Sequence, residues 1–178
     1  MKKFIIIILS ILLAIAIGFD IYLVYRHYNP KEPPHLDVIP YEHFTIPQEH
    51  IETELSKAEI RTMLDSLYNI KYTYREIEER EQLEWGYTHD GVIEIVNYIS
   101  PIDYVHVLAH EMTHIKYGTS NETFTEFKTI TTLYESNNIL FQKVALNRAK
   151  FIISGGLAHD ERDCGYYLLE YFNWSKND

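Results

Sequence analysis

The sequence is poor in cysteine and in positive charge. Its one cysteine, Cys164, excludes an intrachain disulfide and a cysteine-rich zinc finger. Lysines and arginines number 16 against 26 aspartates and glutamates, which gives a formal net charge of −10 over 178 residues. A chain with this charge and no basic patch repels phosphate backbones, so nucleic acid is not expected as a partner.

Charged side chains are almost absent from the start of the chain. Residues 4–25 are apolar apart from a few positions, with Asp20 the one charged residue among them. About 20 such residues span a bilayer as a helix, and basic residues on both flanks barely decide the orientation. Ala14 and Ala16 match a signal-peptide cleavage pattern, which is the alternative. The apolar run continues past Ala16, so we expect an uncleaved single-pass membrane anchor. An N-terminal anchor with a short basic head usually leaves its C-terminal domain outside the cytoplasm, which is the orientation we expect.

Prolines are concentrated just after this run. Five of the six prolines lie within residues 29–55, and proline fixes φ and removes a backbone donor, so this stretch is predicted to be an extended stalk. Its apolar residues indicate that its later part packs on the domain that follows. The predicted organisation is a membrane anchor at 1–28, the stalk at 29–55 and one globular domain at 56–178.

Local patterns predict that the domain begins with a helix and a short sheet. A capping box predicts a helix over 56–69, and alternating β-forming residues predict a strand over 72–77. The dipeptide Asp90-Gly91 is a favoured hairpin turn, and strand-like residues flank it at 83–88 and 92–98. These elements predict a strand directly before the next helix.

The rest of the domain is predicted to be helical. A helix over 101–117 has a serine as N-cap, a proline in its first turn and a glycine at its end. Further helices are predicted over 120–136 and 139–153, and a last one ends near Trp174. The predicted fold class is therefore α+β, with a short mixed or antiparallel sheet followed by helices only.

Residues 108–114 carry the pattern His-Glu-x-x-His inside the predicted helix 101–117. His110 and His114 are four residues apart, so they share one helical face, where two imidazoles can bind one zinc ion. The carboxylate of Glu111 can reach a water on the metal without ligating it, and can take its proton. A zinc site of this kind needs a third ligand from elsewhere and an open fourth position.

A strand followed by a helix with this motif resembles the zincin metallopeptidases. The stretch 121–127, Asn-Glu-Thr-Phe-Thr-Glu-Phe, is similar to the Asn-Glu-Gly-Phe-Ala-Glu-Tyr type of element in gluzincins. There the first glutamate ligates zinc from the next helix, so the resemblance implies Glu122 as the third ligand. It covers about residues 92–136. The spacer of seven residues between His114 and Glu122 is shorter than in many gluzincins.

Other side chains compete for the third position. Glu126 lies on the same helical face as Glu122, four residues later, and is the alternative ligand; His159 is a more distant one. The glutamate that does not bind the metal is expected to orient a ligating histidine. His106 lies one turn before His110 and is expected to be partly exposed or to contact a ligand, because three histidines in a row cannot easily surround one ion.

In zincins the C-terminal region can fold back over the cleft, so the resemblance implies that this region could contribute to the site. His159, Tyr166 and Tyr167 are candidates to stabilise the oxyanion of a tetrahedral intermediate, with helix cap and core aromatics as the plain alternative. The predicted function is hydrolysis of a peptide or protein substrate by a membrane-anchored zinc metallopeptidase with Glu111 as general base. Strand 92–98 is expected to offer an edge to the substrate. The alternative is a non-catalytic or latent zinc-binding membrane module.

Overall fold

Five helices and a three-stranded mixed sheet form the described part of the chain, residues 46–78, 85–155 and 164–174 of a computed structural model. All of these residues belong to a compact unit that extends over residues 36–178. In chain order the elements are α1 (Lys57–Tyr68), β1 (Thr73–Ile77), β2 (Gly86–His89), β3 (Val92–Val96), α2 (Pro101–Tyr117), α3 (Glu122–Glu135), α4 (Ile139–Ile153) and α5 (Cys164–Phe172). The predicted α+β class is confirmed.

Side-chain caps determine where the helices begin. The Ser56 hydroxyl accepts the Glu59 N–H at 3.3 Å and the Glu59 carboxylate accepts the Ser56 N–H at 2.8 Å, which completes the predicted capping box of α1. Ser100 caps α2 by accepting the Asp103 N–H at 3.1 Å, and Gly118 ends α2 in the left-handed region at φ 60°. Because these signals are local, α2 and α4 have their predicted bounds.

The sheet has the order β1-β3-β2, with β3 parallel to β1 and antiparallel to β2. The predicted hairpin is confirmed: Asp90 and Gly91 both have positive φ, as a tight two-residue turn requires. The expectation that strand 92–98 offers an unpaired edge is wrong, because β3 bonds to a strand on each side. Ile93 and Ile95 of β3 are fully buried, which suits a central position. The outer strand beside α2 is β2.

The apolar core surrounds α2. This helix contacts α1, α3, α4 and both strands of the hairpin. Its inner side chains Leu108 and Met112 are fully buried together with Ile130 and Leu133 of α3. Burial of each such side chain contributes about 1.5–3 kcal/mol. The backbone that carries the His-Glu-x-x-His pattern is therefore held in place by nearly every other element of the fold.

A chain of buried hydroxyl groups connects three helices beneath the motif. Thr113 of α2 donates to the Ala109 carbonyl at 2.8 Å, so its oxygen acts as acceptor in its other two contacts. Those are with the Tyr68 hydroxyl of α1 at 3.1 Å and the Thr129 hydroxyl of α3 at 2.9 Å. Because all three side chains are buried, these contacts supply hydrogen-bond partners in place of water.

Residues 46–55, the later part of the predicted stalk, pack on the domain as expected. Ile46 donates its backbone N–H to the Ser154 hydroxyl at 3.3 Å, and three apolar side chains of this stretch contact the core. The predicted anchor at 4–25 lies outside the described residues. Within the described ranges, no helix is both long and apolar enough to cross a membrane.

Replacing Thr113 by valine tests the buried hydroxyl chain. The change preserves side-chain shape but leaves the Tyr68 and Thr129 hydroxyls without their buried acceptor. We expect the free energy of unfolding in urea to fall by about 1–3 kcal/mol. The control Thr113→Ser retains the hydroxyl and should lose about 0.8 kcal/mol for the missing methyl group. A valine variant as stable as the wild type would contradict this account.

Candidate metal centre

Helix α2 directs two imidazoles toward the first turn of α3. His110 Nε2 and His114 Nε2 lie 3.1 Å apart. Glu122, the first residue of α3, places Oε2 3.0 Å from His110 Nε2 and Oε1 3.5 Å from His114 Nε2. Asn121 makes this possible, since its side chain caps α3 by accepting the Phe124 N–H at 2.8 Å. The two histidines and Glu122 together could hold a metal ion.

The separations among these three side chains fit a small cation. Donors bound to a tetrahedral zinc ion at about 2.0–2.1 Å lie roughly 3.3 Å from one another, and the observed values are 3.0, 3.1 and 3.5 Å. The Nδ1 atoms face other partners: that of His110 donates to Glu126 Oε2 at 2.9 Å and that of His114 donates to the Thr119 carbonyl at 2.8 Å. With Nδ1 donating to these acceptors, Nε2 of each imidazole faces the common point, and its lone pair becomes available to a metal ion once the ring is neutral.

A second group shares His110. His106, His110 and Glu126 could also hold a metal ion. In this group Glu126 already has a cation, because Arg148 of α4 donates Nε to Glu126 Oε1 at 2.6 Å. His106 Nε2 contacts both oxygens of the same carboxylate, at 2.9 and 3.1 Å. The positive charge of Arg148 disfavours a metal ion beside Glu126, so the group with Glu122 is the better cation site.

The acidic members of both groups carry charge at neutral pH. Burial raises the pKa of Glu122, but its hydrogen bonds with His110 and His114 outweigh burial and lower the pKa to about 2. Burial likewise raises the pKa of Glu126, yet His106 and Arg148 hold it well below its usual range. Both carboxylates are therefore negative: Glu122 lies where the two Nε2 atoms converge and attracts a cation, whereas Glu126 lies on the Nδ1 side of His110.

The hydrogen bonds that lower the pKa of the two glutamates raise the pKa of His110. Burial lowers the pKa of this imidazole, but hydrogen bonds with Glu122 and Glu126 outweigh burial and raise the pKa to about 10. Without a metal, His110 is thus protonated on both nitrogens. A metal ion bound by Nε2 replaces that proton, because a ligating imidazole must be neutral.

Glu111 lies beside the group without belonging to it. Its side chain is 7% exposed, and Thr88 of β2 donates its hydroxyl to Glu111 Oε2 at 2.7 Å. Burial raises the pKa of the Glu111 carboxyl. Strand β2 can approach this closely because residue 86 is glycine: a Cβ there would lie 2.6 Å from Val107 Cγ1 and 2.9 Å from Glu111 Oε1. Thr88 and Gly86 thus position Glu111.

An open cleft of about 1350 Å³ surrounds these side chains. Its walls come from β2 with its turn, from α2 and the following connection, from α4, and from residues 48–51. His110, His114, Glu111 and Glu122 all line it, whereas the Glu126 side chain is fully buried behind them. The predicted motif residues and both candidate glutamates are therefore brought together, with Glu122 on the accessible side.

The C-terminal candidates lie elsewhere or outside the described residues. Among the described residues that line the cleft, none belongs to α5, which carries Tyr166 and Tyr167. The Tyr167 ring instead contacts the ring of Phe127, with centroids 5.8 Å apart. His159 lies outside the described residues. Helix α5 therefore packs against α3.

Several site residues have no signal in the sequence. Arg148 contacts Glu126 across 22 residues of sequence, and Thr88 contacts Glu111 across 23. Both contacts depend on how distant elements pack. Residues 86 and 88 are two positions apart in the strand before the Asp90-Gly91 turn, so they lie on the same face of that strand. That spacing could have indicated that Gly86 and Thr88 face the same neighbour.

Comparisons with protein-family models, with curated proteins and with solved structures found no match. The zincin resemblance therefore stays a hypothesis that rests on residues 108–114 and 121–127. Its physical support is the convergence of the three donors beside Glu111.

The roles of the two glutamates can be separated by metal affinity. Glu122→Ala removes a donor, whereas Glu126→Ala removes the partner of His110 and should weaken binding by about 10- to 100-fold. We expect the larger loss for Glu122→Ala, measured with Zn²⁺ by competition against a chromophoric chelator. Glu135→Ala, at the other end of α3, is the same-helix control. Unchanged affinity in Glu122→Ala would contradict its role as a ligand.

Gly86→Ala tests the close approach of β2 to α2. The added methyl group must displace Val107 or Glu111, so we expect a loss of about 1–3 kcal/mol in the free energy of unfolding. Val107→Ala removes the nearest contacting atom, so the double variant Gly86→Ala/Val107→Ala should be more stable than the sum of the single effects predicts. Strict additivity in urea unfolding would show that the two residues do not collide.

Proposed function

We propose that this chain is a membrane-anchored zinc metallopeptidase of the gluzincin type. The observation that carries the proposal is the convergence of His110 Nε2, His114 Nε2 and the Glu122 carboxylate in an open cleft beside Glu111. Two imidazoles and one carboxylate are a donor set that catalytic zinc sites use. The apolar residues 4–25 support the membrane anchor.

The proposed set of three protein ligands leaves one coordination position of the zinc ion open. His110, His114 and Glu122 would hold the zinc ion, and neither candidate group has a fourth protein donor among the described residues. Catalytic zinc sites keep such an open position, whereas structural ones are closed by a fourth ligand. When bound, Zn²⁺ supplies a Lewis acid that polarises the scissile carbonyl and lowers the pKa of water. This supports a catalytic site over a structural zinc module.

Glu111 is the proposed general base. It takes the proton of the attacking water and delivers it to the leaving amine, which completes hydrolysis of the peptide bond. The Thr88 hydroxyl, 2.7 Å from Oε2, holds the carboxylate in one orientation during this transfer. Burial raises the pKa of Glu111 toward the working pH, and a base is most effective when its pKa lies near that pH.

Strand β2 is the proposed binding edge for the peptide. It is one of the two outer strands of the described sheet, and its residues line the cleft next to Glu111. An extended peptide can add to such an edge through main-chain hydrogen bonds, which makes binding tolerant of sequence. This proposal replaces the expectation for strand 92–98, since β3 is paired on both sides.

Glu111→Gln separates hydrolysis from metal binding. In the full chain loaded with Zn²⁺, we expect cleavage of fluorescein-labelled casein to fall by about 10²- to 10⁴-fold, because the base is lost. Zinc content should stay at the wild-type level, since Glu111 is not a donor. A chelator should abolish wild-type cleavage, and added Zn²⁺ should restore it. A wild-type chain that binds zinc but cleaves no unstructured protein would refute the peptidase proposal.

A further inference from the structure

One side chain of α4 pairs with the backbone of the segment that precedes α1. The Oδ1 atom of Asn147 accepts the Glu49 N–H at 2.9 Å, and its Nδ2 donates to the Glu49 carbonyl at 2.6 Å. A side-chain amide thus satisfies both backbone groups of a single residue. Since donor and acceptor must each meet their counterpart, this pairing holds Glu49 in one position and one orientation.

Further contacts from the same face of α4 hold the segment. Lys150 lies 3.9 Å from the Glu49 carboxylate, and the Ser154 hydroxyl accepts the Ile46 N–H at 3.3 Å. Asn147 and Lys150 are three residues apart, so they lie along one side of α4, and Ser154 follows directly after the end of the helix. The segment 46–51 therefore runs along this helix, and Asn147 makes its shortest contact.

The clamped segment is part of the cleft. Gln48, Glu49 and Ile51 line it, together with Asn147 itself. Residues 47–50 are exposed, so little apolar burial holds them. Ile46 and Ile51 anchor the two ends by packing on the core. Between these anchors, the hydrogen bonds of Asn147 determine the shape of the wall.

We infer that Asn147 is a substrate-positioning residue: it clamps residues 48–51 as a fixed wall of the cleft against which the bound peptide packs. The inference rests on the proposed peptidase function, because it takes a peptide as the occupant of the cleft. Asn147 does not touch the reacting atoms. It acts through the segment, so it should alter peptide affinity while the hydrolytic step, which depends on α2, α3 and β2, continues at its usual rate.

Asn147→Ala is a suitable test because the helix should tolerate it. Alanine has a higher helix propensity than asparagine, so α4 gains stability locally while the clamp is lost. The neighbouring contact of Arg148 with Glu126 involves a different side chain and is retained. Lys143→Ala, at an exposed position one turn earlier on α4, is the matched control. Asn147→Asp retains the acceptor for the Glu49 N–H but loses the donor, so its effect should be intermediate.

The hydrogen bond between Asn147 and the Glu49 backbone is tested by amide hydrogen exchange in the full chain. In Asn147→Ala, exchange of the Glu49 amide should accelerate about 10-fold, because the variant lacks its hydrogen bond. Peptide affinity is measured by fluorescence anisotropy of labelled casein, with Glu111→Gln as the background so that nothing is cleaved. Adding Asn147→Ala should raise Kd roughly 5- to 10-fold, and in the active enzyme raise KM with kcat unchanged. Lys143→Ala should change none of these values.

The outcomes separate this inference from the proposed function. A wild type that cleaves nothing refutes the peptidase proposal, whereas the exchange and anisotropy measurements do not require cleavage. Unchanged exchange at Glu49 in Asn147→Ala would overturn the clamp. Faster exchange with an unchanged Kd for casein would overturn the role in positioning substrate, as would a loss confined to kcat. Failure of the Glu111→Gln background to bind casein would overturn it as well.

Discussion

The buried carboxylate of Glu126 is the interaction on which the site depends. It is fully buried, and a carboxylate without partners at such a position would cost several kcal/mol. Three cationic or donor groups from two other helices satisfy it: His106 and His110 of α2 and Arg148 of α4. The negative charge on Glu126 in turn holds the Nδ1 proton of His110, so the opposite nitrogen faces the cleft. One buried charge thus links three helices and orients a metal donor.

Exposure separates the two glutamates of α3. The Glu122 side chain is 43% exposed and reaches the point where the imidazoles converge, whereas Glu126 is sealed behind them. One turn of helix therefore supplies two carboxylates with different chemistry. The accessible one can bind an ion that arrives from solvent, and the buried one can only orient a side chain that does so.

Helix α4 supports both the metal centre and the cleft wall. Two adjacent residues provide this support: Arg148 donates a hydrogen bond to Glu126, and Asn147 accepts one from the backbone N–H of Glu49. On the other side of α2, Thr88 and Gly86 let β2 approach and orient Glu111. The central helix carries the motif, but its neighbours decide which atoms of the motif face the cleft.

Most of the local structure could be predicted from the sequence, because caps, periodicity and turn residues act over a few positions. The bounds of α2, the Asp90-Gly91 hairpin and the shared face of His110 and His114 all follow from such short-range rules. The resemblance favoured Glu122 over Glu126, but the sequence could not show that Glu122 is accessible and Glu126 buried, because burial comes from the packing of α4 onto α3. Nor could it place β3 in the centre of the sheet, since strand order depends on pairing between distant segments. Tertiary structure alone brought Thr88, Arg148 and Asn147 to the site, because their partners lie 22 or more residues away along the chain.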